Sequence, residues 1–105
     1  MTSFDEREQG FEKRYSQEQE FAFRVKARRN KMVGLWAASH LGLEGADAQR
    51  YADSIVAAEL QKGGDEEVLS RLTVDLRPKG IERHQVEAEI ERATTEAKEQ
   101  LGAPK

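Results

Sequence analysis

A chain of 105 residues with 35% charged and 37% apolar side chains reads as one small, heavily ionic domain with a modest core. It has no cysteine, which excludes a disulfide framework, a thiolate nucleophile and a cysteine-bound zinc. No apolar run approaches the roughly 18 residues of a membrane span, and the acidic start lacks the apolar stretch of a signal peptide, so the sequence reads as a soluble protein of a reducing compartment.

The hydropathy pattern is helical nearly throughout, and period-two runs of β-branched or aromatic residues are missing. The opening stretch, MTSFDEREQGFEKRYSQ, carries Phe4, Phe11 and Tyr15 among charges and cannot form a core of its own. At about 100° per residue these three aromatics fall within about 20° of one helical line. Gly10 weakens a helix here by about 1 kcal/mol relative to Ala. Residues 1–16 are therefore expected to be a binding segment, mobile when free and ordered on a partner.

The first strong helix is predicted from about Gln17 to Leu41, with Phe21, Val25, Met32, Leu35, Trp36 and Ser39 as its stripe. That stripe centres about 80° away from the aromatic line on the ideal-helix count. The offset predicts that the aromatics face a partner outside the bundle. Gly42 supplies the C-terminal cap position, with Leu43 behind it. The second helix, 46–61, buries Ala48, Tyr51, Ala52, Ile55, Val56 and Leu60. Asp65 is the expected N-cap of the third, with Glu66 and Glu67 on the positive end of its dipole. Val68, Leu69, Leu72 and Leu76 form its face, and Pro78 stops it. The fourth helix, 83–101, carries Val86, Ile90, Ala93, Ala97 and Leu101. Glu82 is a poor N-cap for it, Ile81 is expected in the core, and 102–105 is a frayed tail. The predicted fold is all-α, a small antiparallel four-helix bundle over 17–101 with a mobile N-terminal segment.

Charge is unevenly spread. Residues 1–20 hold six acids and three bases and sum to −3, whereas 21–41 hold five bases and no acid, inside a chain of net charge −3. The block Arg24, Lys26, Arg28, Arg29 and Lys31 is a candidate surface for a protein or nucleic acid. It lacks interleaved aromatics, and Arg28 falls within the predicted stripe. Arg28 is expected half-buried and paired to an acid of another helix, so nucleic acid is not an expected ligand.

The sequence carries no catalytic constellation. His84 and Glu87 form one HxxE pair without the matching half of a carboxylate metal site, so His84 reads as a surface histidine. His40 follows Trp36 by four residues and is expected to stack on it at a helix end. KGGDEE lacks the spacing of a phosphate loop. No serine has a base placed to activate it. Neither an enzymatic activity, a metal nor a cofactor is expected.

FDERE at 4–8, ARRNK at 27–31, GLWAA at 34–38 followed by LGLEG, and GDE at 64–66 together carry a resemblance. They resemble the ζ subunit, the ATPase-inhibitor subunit, of the alphaproteobacterial F-type ATP synthase, across residues 1–101. The resemblance implies a four-helix bundle whose N-terminal segment, here 1–16, enters a catalytic α/β interface of the synthase head. There it becomes helical, wedges against the rotor and blocks the hydrolysis direction while leaving synthesis largely free. Phe4, Arg7, Glu8, Phe11, Arg14 and Tyr15 match the segment and are implied to contact the α, β and γ subunits. The bundle is implied to rest against the outer head as a tether. The free form is implied to be a monomer, working at the cytoplasmic face of the inner membrane without inserting into it. Gly10 and the acid-poor start of the fourth helix depart from the family pattern, and both point to weaker inhibition.

Overall fold

The computed structural model describes the backbone of residues 2–62 and 64–102, and the side chains of 14–61 and 64–102. The order is α1 (Thr2–His40), α2 (Gly45–Lys62), α3 (Asp65–Leu76), a 3₁₀ turn (Arg77–Lys79) and α4 (Arg83–Leu101). The all-α, four-helix expectation holds, and α2 and α4 begin and end within one residue of their predicted limits. The start of α1 does not: one uninterrupted helix of 39 residues runs from Thr2 through Gly10 to His40. Such a helix is about 58 Å long, close to the full 63 Å extent of the molecule. α1 packs along α2 and α4, and α3 closes the bundle against both.

The core-facing side of α1 is not the predicted stripe. Its buried residues are Val25, Arg29, Asn30, Val33, Gly34, Ala37 and Ala38, whereas Phe21, Met32, Leu35 and Trp36 are half-buried and Ser39 is exposed. The face is rotated by roughly a third of a turn from the expected one. Size misleads the sequence reading here. α2 approaches α1 so closely that a Cβ on Gly34 would lie 2.7 Å from the Ala52 Cα. Small residues therefore occupy the crossing, while Met32 and Trp36 pack along its flank.

This rotation replaces the predicted 80° offset with one of about 50° in the opposite sense, which puts Tyr15 within the arc of the core face. Tyr15 precedes Val33, and Phe11 precedes Arg29, by 18 residues, which is five turns of helix. On the ideal count Tyr15 continues the core face of α1 rather than turning away from it.

On α2, Ala52, Ile55 and Ala58 are buried, but Leu60, predicted inside, is 62% exposed. α3 buries Val68, Leu72 and Leu76, and α4 buries Val86, Ala93 and Ala97. Ile81 enters the core as expected, at 8% exposure.

Three helix ends refine the sequence reading. At the end of α1, Leu43 N–H donates to Ala38 O at 2.9 Å and Gly42 N–H to Ser39 O at 3.2 Å, the Schellman pattern, with Gly42 at φ 79°. The same pattern, not Pro78 alone, ends α3. Ile81 N–H donates to Leu76 O, Gly80 N–H donates to Arg77 O, and Gly80 sits at φ 80°. Pro78 opens the intervening 3₁₀ turn, and the reversal at Gly80 is what drops Ile81 into the core. Before α4, Glu82 is the N-cap residue and Gln85 supplies the capping: its Oε1 accepts the Glu82 N–H at 2.8 Å.

Candidate functional site

Two places on this scaffold concentrate polar or exposed apolar chemistry. One is an ionic node where α1, α2 and the start of α3 meet. The other is the N-terminal half of α1, which projects past the bundle.

The node is built on Arg29, the most buried charge among the described residues at 4% exposure. Its Nη2 donates to Glu59 Oε1 and to Asp65 Oδ1, each at 2.8 Å, and its Nε donates to Asn30 Oδ1 at 3.1 Å. Lys26 Nζ lies farther out, 3.9 Å from the same Asp65 oxygen. This corrects two expectations. Arg28, predicted to be the half-buried arginine, is exposed and donates to Gln100 Oε1 at 3.0 Å. Asp65, predicted as the N-cap of α3, is its first helical residue behind Gly64, and its carboxylate faces Arg29 instead. The stripe shifted by one residue because its register followed the large apolar side chains. The step Val25–Arg29–Val33, with charge at its middle, was the available signal.

Two carboxylates on one buried guanidinium cannot titrate alike. Burial, with Asp65 alongside, pushes the Glu59 carboxyl above its ordinary 4.5, opposed by Asn30 and Arg29. The bond from Arg29 holds Asp65 below its ordinary 3.8, against a smaller opposing effect of burial. The signs for stability are opposite. Glu59 binds its proton more tightly when folded, so its contribution grows as pH falls from its folded value towards 4.5, and is lost as pH rises through the folded value. Asp65 contributes above 3.8, and that contribution is lost as pH falls through its lowered folded value. Urea unfolding of the parent and of Glu59→Gln over a pH series tests this. The variant is expected to be relatively less penalised at neutral pH, and its penalty is expected to grow as pH falls through the folded value of Glu59 towards that of an unfolded glutamate. A pH-independent difference would contradict the assignment.

The basic block is largely neutralised within the fold. Arg24 pairs with Glu20 at 2.8 Å, Lys31 with Asp53 at 2.6 Å, and Lys26 and Arg29 with Asp65. His40 packs edge-on against Trp36, ring centroids 5.0 Å apart, as its spacing suggested. His84 is exposed, with Nδ1 3.5 Å from Glu82, while Glu87 is engaged by Arg83. Tyr51 donates its hydroxyl to Asp75 at 2.7 Å, and burial together with that carboxylate raises its pKa. No helix among the described residues is long and apolar enough to cross a membrane.

Of the predicted binding residues, Arg14 and Tyr15 are exposed on α1, Tyr15 at 58%, with its hydroxyl accepting from Gln19 Nε2 at 2.9 Å. Phe4, Arg7, Glu8 and Phe11 lie on the helical backbone of α1, but their side chains fall outside the described residues. Phe23 and Leu60 were missed as surface residues; they are 56% and 62% exposed.

A family model described as ATPase inhibitor subunit zeta matches residues 1–100. No curated protein matches the chain.

Proposed function

Because the chain belongs to the ATPase inhibitor subunit zeta family, we propose that it restrains an F-type ATP synthase by placing the N-terminal turns of α1 at a catalytic α/β interface, against the rotor. The continuity of α1 carries this reading. The face covered by α2 and α4 from Val25 to Ala38 runs on, in register, to Tyr15, which is 58% exposed. A helix face that outruns its own bundle is completed by something else. Phe4, Phe11 and Tyr15 would supply the apolar contacts, and Arg7, Glu8 and Arg14 the charged ones.

In this reading residues 1–16 are mobile in the free monomer and take their final order on the partner. Gly10 costs that order about 1 kcal/mol relative to Ala. Ordering some 15 residues from coil would cost on the order of 15–30 kcal/mol of backbone entropy, against about 5–9 kcal/mol from three buried aromatics. Continuation of the α1 helix and tethering by the bundle make up the difference. The inserted helix opposes rotation in the hydrolysis direction and leaves synthesis largely free, at the cytoplasmic face of the inner membrane where the catalytic head lies.

Deletion of residues 1–16 tests the proposal. The buried residues among those described run from Val25 to Ala97, so the shortened chain is expected to melt within a few degrees of the parent. It is expected to lose inhibition of ATP hydrolysis entirely. Undiminished inhibition by the folded, shortened chain would overturn the assignment.

A further inference from the structure

We propose that the base of the projecting helix carries a second docking surface for the same ATPase, formed by Phe23, Leu60 and Leu101 and rimmed by Arg24 and Arg28. This rests on the reading that the chain binds an ATPase through α1. Large apolar side chains on the surface are ordinary when scattered and informative when grouped. Among the described residues four are exposed: Tyr15, Phe23, Leu60 and Val74. Phe23 and Leu60 meet at one hollow of about 80 Å³, lined also by Ala27, Val56 and Glu59. On its other side Phe23 lines a second hollow of about 460 Å³ with Arg24, Ala27, Arg28 and Leu101. Phe23 thus stands between the C-terminal ends of α2 and α4, at the end of the bundle from which α1 projects. Tyr15 is eight residues, about 12 Å, further out along the same helix.

Charge selects the occupant. Glu59, the acid lining the first hollow, is already held by Arg29. Arg28 bonds the neutral Gln100 and has no ion pair among the described residues, and the ion pair of Arg24 with Glu20 is fully on the surface. The collar therefore presents apolar surface beside positive charge. It fits an apolar patch flanked by carboxylates on the partner, at the mouth of the site that the segment enters.

The full-length double variant Phe23→Gln/Leu60→Gln tests this in titrations of ATP hydrolysis by the F-type ATPase. It is expected to need about tenfold or more protein for half-inhibition, with the same residual activity at saturation and an unchanged melting temperature. Arg28→Glu is expected to weaken inhibition likewise, and Val74→Gln, away from both hollows, to leave it unchanged. Half-inhibition within about twofold of the parent for the folded double variant overturns the proposal, as does an equal loss from Val74→Gln. An Arg28→Glu variant that inhibits like the parent overturns the acidic partner. If the parent sediments as a dimer and the double variant as a monomer, the collar holds a second copy and the proposal falls. Failure of the segment reading is separable, because it shows in the 1–16 deletion and in the depth of inhibition at saturation rather than in the collar variants.

Discussion

Arg29→Ala is expected to lower the unfolding free energy by about 3–5 kcal/mol, the usual cost of breaking a buried ion pair from one side. Among the described residues the guanidinium is the only counter-charge of Glu59, whose side chain is 12% exposed. Without it a buried carboxylate is left unpaired, and Asp65 loses the contact that ties the start of α3 to α1. For a domain of this size the change corresponds to a melting temperature lower by about 15 °C or more. Asp65 is 55% exposed on its side chain, so Asp65→Asn is expected to cost far less, within about 1 kcal/mol. Replacing both buried partners, Arg29→Met with Glu59→Leu, is expected to recover most of the loss, because it removes the desolvated charge as well as the pair. Urea denaturation of the three variants decides it. An Arg29→Ala protein within 1 kcal/mol or so of the parent would show that the node is dispensable.

Gly34→Leu is expected to have an effect of similar size, about 3 kcal/mol or more, because no side chain fits the α1–α2 crossing. Even the Cβ of an alanine would lie 2.7 Å from the Ala52 Cα and 3.0 Å from its Cβ. The obstructing atoms are the backbone and a methyl of the facing helix, so nothing can swing aside; the two helices must part. Gly34→Ala sets two effects against each other. Alanine gains about 1 kcal/mol of helix propensity over glycine, and overpacking costs about 1–3 kcal/mol. The net is expected to be destabilising by about 1 kcal/mol. Thermal melts of the two variants test the crossing, and a Gly34→Ala protein more stable than the parent would mean that the helices are farther apart than this.

Both variants act on the bundle rather than on the projecting segment. ARRNK contributes the buried Arg29 and Asn30, GLWAA contributes Gly34, Ala37 and Ala38, and the aspartate of GDE is one of the two acids that Arg29 holds. The residues by which the chain resembles its family are thus largely those that weld α1 to α2 and α3. FDERE alone lies on the projecting turns. Where Gly34→Ala remains folded, it is expected to retain inhibition, since it leaves the projecting turns of α1 and the hollows beside Phe23 untouched.

Helical period, glycine punctuation and the absence of strand patterns were enough to read the all-α class, the helix count and the limits of α2 and α4 from the sequence. They also placed Ile81 in the core, because the glycine before it reverses the chain, and His40 against Trp36, because that contact is four residues apart. Which side of α1 faces inward was not legible. Hydrophobic size favoured the Met32–Trp36 side, and the close approach of α2 chose the side with Gly34, Ala37 and Ala38. That is a property of the distance between two helices, which no single helix encodes. The same decision buried Arg29 rather than Arg28 and put Tyr15 in register with the core face. The segment's aromatics were visible in the sequence; the alignment of Tyr15 with the face that α2 and α4 cover came only from the packing.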